Sequence, residues 1–158
     1  MPIVNYKNKQ KIKKLLKNKK SVLVGGCFDI LHFGHVTFLN NAKKYGNFLV
    51  VALESDEYIK KNKNKIPYHN LDERAYILSS IASVDLVIKL PLFNNNEDYL
   101  KLVKLISPKI IAITKNDSLL SQKKKQAKII GGKIKTACSY IKKFSSTKAI
   151  SYAPFSRN

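Results

Sequence analysis

Acid is what this chain has little of. Ten Asp and Glu stand against thirty Lys and Arg, a formal net charge of +20 over 158 residues. Such a field attracts anions and speeds their encounter with a site. The lysines are spread along the chain, and no helix-turn-helix, zinc or RNA-motif signature accompanies them, so no specific nucleic-acid partner is expected. Apolar runs long enough to span a bilayer are missing, and the lysine-rich start lacks the apolar centre of a signal peptide. Only two cysteines occur, Cys27 and Cys138. Their spacing does not suit a metal pair, and neither a metal site nor a structural disulfide is expected; a reducing cytoplasm is the default. Internal repeats are absent. The length suits one domain with a real core.

What is present is an alternation of short apolar runs with amphipathic segments. Ser21–Val24, closed by Gly25 and Gly26, reads as a buried strand ending in a tight turn. Phe48–Leu53 reads as a second, Val84–Ile88 as a third, Ile110–Ile113 as a fourth and Lys133–Ala137 as a fifth. Between them lie helices. Val36, Phe38, Leu39 and Ala42 recur at helical spacing; Leu71, Ala75, Leu78, Ile81 and Ala82 form a stripe behind an Asn70 cap. Tyr99, Leu102, Val103 and Ile106 share one side of a helix over Glu97–Leu105. Gly131 fits the end of a helix rich in lysine. This alternation predicts an α/β fold, a mainly parallel five-stranded sheet covered on both faces. Residues 1–20 read as a basic N-terminal extension with a short helix carrying Ile12, Leu15 and Leu16, and residues 21–158 as the domain proper.

The chemistry concentrates in Gly26-Cys27-Phe28-Asp29-Ile30-Leu31-His32-Phe33-Gly34-His35. The run leaves the first strand and opens a helix. Unpaired amides and the positive end of the helix dipole collect there, a setting that suits phosphate. Gly34 lets a phosphate approach the backbone. His32 and His35 can donate hydrogen bonds to phosphate oxygens as charge builds. Asp29 could orient a substrate group or a metal.

This run resembles the signature of the cytidylyltransferase-like nucleotidyltransferases, and the resemblance extends from about Ser21 to Ile150. It implies a Rossmann-like three-layer α/β/α fold. It also implies transfer of a nucleotidyl group from a nucleoside triphosphate (ATP or CTP) to a phosphorylated small molecule, with release of pyrophosphate. His32 and His35 would contact the triphosphate. Gly25, Cys27, Phe28, Asp29 and Gly34 would line the nucleotide site. Lys60 or Lys61, after the second strand, and Arg74, in Glu73-Arg74-Ala75, would hold the acceptor phosphate. Lys65, before Ile66-Pro67, competes for the lysine role.

Thr114, Asn116 and Asp117 follow the fourth strand where relatives often carry a glycine-rich segment with an aspartate; glycine is missing here, which leaves the base open. Phe144-Ser145-Ser146-Thr147 resembles the family's C-terminal phosphate-binding motif, so Ser145, Ser146 and Thr147 would cradle the outer phosphates. Magnesium (Mg2+) would accompany the triphosphate with few protein ligands. A homodimer is compatible with the resemblance. The middle of the chain looks most like enzymes that adenylylate a heptose phosphate. Cytidylyl transfer to glycerol 3-phosphate, adenylyl transfer to FMN, and a catalytically silent nucleotide- or RNA-binding module are the alternatives.

Overall fold

The structure is a computed structural model and describes residues 1–138. Six strands, β1 (Ile3–Asn5), β2 (Ser21–Gly26), β3 (Phe48–Leu53), β4 (Leu86–Lys89), β5 (Ile110–Thr114) and β6 (Lys133–Cys138), form one sheet in the order β1-β4-β3-β2-β5-β6. Every pairing is parallel. The helices are α1 (Lys9–Leu16), α2 (Phe33–Lys43), α3 (Asp56–Lys63), α4 (Leu71–Ser79), α5 (Asn96–Ile106) and α6 (Leu120–Ile129).

The expected sheet of five strands is corrected to six. The additional strand, Ile3–Asn5, lies in the basic N-terminal stretch and runs along β4, with Ile3 opposite Val87 and Asn5 opposite Lys89. Three residues carry no legible period, and the lysines that follow hide them. Helix α1 then buries Ile12 completely against the core, as its apolar spacing suggests.

Alternation along the strands sends side chains to two apolar layers. Val22, Val24, Leu49 and Val51 pack with Phe38, Leu39 and Ala42 of α2 and with Ala75 and Leu78 of α4. Leu23, Val50 and Ile111 face the other way, onto Ile12 of α1, Leu102 and Val103 of α5, and Ala127 of α6. Each fully buried Val, Leu or Ile among them contributes roughly 1.5–3 kcal/mol. The result is a three-layer α/β, Rossmann-like fold.

Two details position the site. Successive strands β2, β3 and β4 step one way across the sheet, whereas β5 and β6 step the other, so the order reverses between β2 and β5. Ligands of open parallel sheets bind outside the carboxyl ends of the strands at such a reversal. The helix starts also differ. Asn8, Ser55, Asn70 and Asn95 cap α1, α3, α4 and α5 with side-chain oxygens, Asn70 in a full capping box with Glu73. Helix α2 begins at His32 without a side-chain cap. Its His35 amide turns back onto the His32 carbonyl at 2.9 Å, and the positive end of the helix dipole at this start suits an anion.

Candidate active site

A cavity of about 830 Å³ opens over the carboxyl ends of β2, β3 and β5, a size typical of small-molecule sites. Eleven of the residues singled out from the sequence line it: Gly25, Cys27, Phe28, Asp29, His32, Gly34, His35, Lys61, Lys65, Thr114 and Asp117. The fold thus brings segments that follow three different strands, β2, β3 and β5, to one place. Ser145, Ser146 and Thr147 lie outside the described residues.

At the start of α2 the His32 and His35 rings stack, centroids 3.8 Å apart and planes 22° apart. Phe28 backs His35 at 5.2 Å. Burial lowers the His35 pKa to about 4, with the nearby His32 adding to the effect and a hydrogen bond to the Ile30 backbone opposing it. Burial lowers His32 as well. Both imidazoles are therefore neutral near pH 7. In that state they are hydrogen-bonding groups and not standing cations.

The loop that delivers them is tightly held. Phe28 adopts φ 44°, a left-handed conformation unusual for an aromatic residue. A Cβ on Gly26 would stand 2.9 Å from the Phe28 ring, so glycine is required there for the ring to pack. Asp29 is buried, 4% exposed. Its Oδ1 accepts from the amides of Tyr68 and His69 at 2.8 and 3.2 Å, and Lys65 Nζ lies 3.5 Å from Oδ2. Asp29 thus pins the loop to the segment before α4.

Arg74 was expected to hold an acceptor phosphate, and the structure corrects this. Its side chain is fully buried and does not reach the cavity. Nε donates to the His69 carbonyl at 3.1 Å, Nη1 to the Cys27 carbonyl at 2.5 Å, and Nη2 to the Glu54 carbonyl at 2.9 Å and to Asp56 Oδ1 at 2.7 Å. One guanidinium ties together the ends of β2 and β3, the start of α3 and the loop before α4. A planar fork with several donors suits that task as well as it suits phosphate, which is why the sequence alone did not separate the two.

The lysine alternatives also separate. Lys61 lines the cavity, and its Nζ reaches Asn94 Oδ1 at 3.4 Å; Lys60 does not line it. Lys63 and Lys65 join Lys61 at the rim. After β5, Asn116 takes φ 65° and stays outside the cavity wall. Asparagine tolerates this left-handed turn without glycine. Asp117 accepts from Leu119 N and from Lys123 Nζ, both at 2.8 Å.

Two further cavity residues pair with each other: Glu54, which the sequence marks beside Thr114–Asp117 as a place for divergence within the family, and Tyr99, which it places only on an apolar helix face. Glu54, directly after β3, is 7% exposed, and Tyr99 of α5 donates its hydroxyl to Glu54 Oε1 at 3.0 Å. Burial pushes the Glu54 carboxyl up to about 7. Tyr99 sits on the apolar stripe of α5, so its hydroxyl left no sequence signal.

A model of the cytidylyltransferase-like family matches residues 23–156. The chain belongs to the cytidylyltransferase-like family. Over 94 residues it is 46% identical to the bifunctional protein HldE of Aliarcobacter butzleri, a match covering 59% of this chain and 19% of that protein. It is 41% identical over 92 residues to the FAD synthase of Pyrococcus abyssi, covering 58% of this chain and 60% of the relative. The matches thus span a minor part of the first relative and a larger part of the second. Among solved structures, the lipopolysaccharide core biosynthesis protein of Thermoplasma volcanium superposes with a TM-score of 0.63 at 28% identity, covering 77% of this chain and 97% of that one. Pantothenate synthetase of Thermus thermophilus superposes with a TM-score of 0.67 at 13% identity over 98% and 68% of the two chains, which concerns the fold alone.

In this cytidylyltransferase-like chain, no group of three or more His, Cys, Asp or Glu among the described residues could hold a metal ion. No helix among them is long and apolar enough to cross a membrane.

Proposed function

We propose that the chain transfers a nucleotidyl group from a nucleoside triphosphate to a phosphorylated small molecule and releases pyrophosphate. The observation that carries this reading is the stacked His32–His35 pair at the uncapped start of α2, facing the cavity at the strand reversal. An oxygen of the acceptor phosphate attacks the α-phosphorus. The bond from that phosphorus to the bridging oxygen breaks, and the electron pair leaves with pyrophosphate. Such chemistry needs positioning and charge neutralisation and no covalent protein intermediate.

His32 and His35 donate to oxygens of the transferring and leaving phosphates. The anion that replaces water beside them raises their proton affinity, so they strengthen as charge moves toward pyrophosphate. Lys61, Lys63 and Lys65 at the rim offer cations to the acceptor phosphate. Arg74 and Asp29 hold the loop geometry that this requires. Ser145, Ser146 and Thr147 cradle the outer phosphates in this reading, on the resemblance of their motif.

Magnesium fits as an ion brought in by the triphosphate. The described residues offer no three-ligand protein cage, and magnesium keeps several waters and binds chiefly through phosphate oxygens. When bound it would screen the triphosphate charge.

The acceptor we favour is a sugar phosphate with ATP as donor, supported by the similarity to the bifunctional protein HldE and by the resemblance of the middle segments to heptose-phosphate adenylyltransferases. Cytidylyl transfer to glycerol 3-phosphate remains the first alternative on that resemblance. The similarity to an FAD synthase supports FMN as another acceptor. The test is pyrophosphate release with magnesium, crossing ATP and CTP against heptose 1-phosphate, glycerol 3-phosphate, ribitol 5-phosphate and FMN. Release with one pairing supports the reading and names the substrates. Triphosphate binding with silence across the grid favours a binding module.

A further inference from the structure

The lysines that are spread along the chain are not spread over the fold. On one side of the sheet lie α2 and α4, which carry Lys43 and Arg74 against Asp72 and Glu73 and are neutral together. The other side is covered by α1, α5 and α6, which touch in that order. Helix α1 holds four lysines and no acid, and α6 holds four lysines and no acid. Between them α5 balances its own lysines with Glu97 and Asp98. Lys123 of α6 turns inward to Asp117, while Lys124, Lys125, Lys128 and the lysines of α1 are exposed. Among the described residues none of these exposed lysines has an acidic partner. The positive charge is therefore gathered on one helical layer.

We infer that the layer of α1, α5 and α6 docks on an anionic bilayer surface, with its lysines over the headgroups and Ile129 inserted among them. Helices laid side by side on a sheet make a broad layer, and one of like charge matches a plane of opposite charge. Lysine needs no fixed geometry for this. Arginine, whose planar fork suits nucleic-acid phosphates, is missing from the three helices; Arg74 is buried on the opposite side of the sheet. The exposed aromatic residues among those described, Phe33, Tyr68 and Tyr76, belong to α2, to α4 and to the loop before α4. No stacking platform for bases thus accompanies the charge. Ile129 is 57% exposed beside Lys128, two positions on from the buried Ala127 and so on the outer side of α6. An aliphatic side chain held out among lysines suits the boundary between headgroups and acyl chains. The apolar stripe of α1 is spent on the core through Ile12, so the contact is peripheral. The cavity lies at the carboxyl ends of the strands, which run along the layer, and so opens to the side of a docked molecule.

Flotation of the full chain with vesicles tests this, using phosphatidylcholine alone or mixed with phosphatidylglycerol. The protein floats with the mixed vesicles at low salt and not with the neutral ones, and high salt releases it. Combining Lys11→Gln, Lys14→Gln and Lys125→Gln lowers partition onto the mixed vesicles by about a hundredfold, at about fivefold per lysine. The control takes equal charge from the opposite side of the sheet. Lys44 ends α2, and Lys133 and Lys135 pair in register with Ile110 and Ala112 on the α2 side. Lys44→Gln, Lys133→Gln and Lys135→Gln together lower partition by less than about threefold, being held away from the surface. Ile129→Ser lowers it by about threefold through lost apolar contact. Lys11, Lys14, Lys125 and Ile129 do not line the cavity, so the melting temperature and the affinity for a triphosphate analogue stay as in the unaltered protein and guard against misfolding.

Equal flotation with neutral and anionic vesicles overturns the inference, as does flotation with neither. An equal loss in the two triple variants overturns it too, since net charge and not this layer would then be responsible. Binding of duplex RNA by a protein that ignores anionic vesicles, lost in the first triple variant, overturns it in favour of a nucleic-acid surface. Unchanged flotation of Ile129→Ser overturns the inserted aliphatic contact.

Discussion

Arg74 Nη2 lies 2.7 Å from Asp56 Oδ1 while donating to the Glu54 carbonyl at 2.9 Å, with the guanidinium fully buried. This contact joins the ends of the strands to the helix that follows β3. The active-site loop hangs from the same group through the Cys27 carbonyl.

Removing Arg74 should therefore damage the fold before the chemistry. Arg74→Ala leaves Asp56 and three carbonyls without their donor, and the loss should be about 3–5 kcal/mol, as for other broken buried pairs. Arg74→Lys restores the charge but not the fork, and should recover only part. Denaturant unfolding measures both. A loss under about 1 kcal/mol in Arg74→Ala would show that the four contacts do not constrain the native state.

His35→Ala should behave in the opposite way. His35 is only partly buried, and the bond it loses, to the Ile30 backbone, is local to its own loop, so stability changes little. Turnover should fall by roughly 10²–10³, the usual cost of one donor to developing charge. A steady-state comparison of kcat and KM would decide: a rise in KM with unchanged kcat would make the imidazole a binding group only.

Gly26→Ala tests the loop. Its Cβ would sit 2.9 Å from the Phe28 ring, and Phe28 is already left-handed. The expected loss is about 1–3 kcal/mol, from overpacking and a displaced Phe28, with triphosphate affinity falling alongside. Thermal melting and calorimetry on one preparation check the pair of effects. An unchanged affinity would mean that the loop reshapes freely.

The pH dependence of stability contains two opposed contributions. His35 is depressed from 6.5 to about 4 in the fold, so the unfolded chain binds the extra proton between those values, and this contribution to stability is lost as pH falls through them. Glu54 is raised from 4.5 to about 7. Its native state holds the extra proton, and its contribution fades as pH rises from 4.5 to 7. Glu54→Gln removes the second effect, so its Tm should climb more steeply than that of the unaltered protein between pH 4.5 and 6.5. Parallel Tm curves would refute the raised carboxyl.

Much of this architecture is readable in the sequence because the strands are fully buried. Runs such as Phe48–Leu53 and Ile110–Ile113 have no solvent face, so their apolar character is continuous. The histidine segment is readable because strand, turn and helix impose glycine and imidazole at fixed spacing. Ile3–Asn5 is not, since an edge strand of three residues has no period. Arg74 shows a further limit: residue type identifies a multidentate donor, and only tertiary structure tells whether it binds phosphate or carbonyls. Glu54 and Tyr99 meet across strand and helix 45 residues apart, a relation that no local pattern encodes.

The most direct test of the central claim follows the label. ATP carrying radiolabel on its α-phosphate, and separately on its γ-phosphate, is incubated with magnesium and the acceptor identified by the pyrophosphate screen. Nucleotidyl transfer predicts that α-label moves into a new nucleotide–acceptor product while γ-label leaves in pyrophosphate, and that both changes fade in His35→Ala. Transfer of γ-label to the acceptor, or its release as single phosphate, would contradict the account.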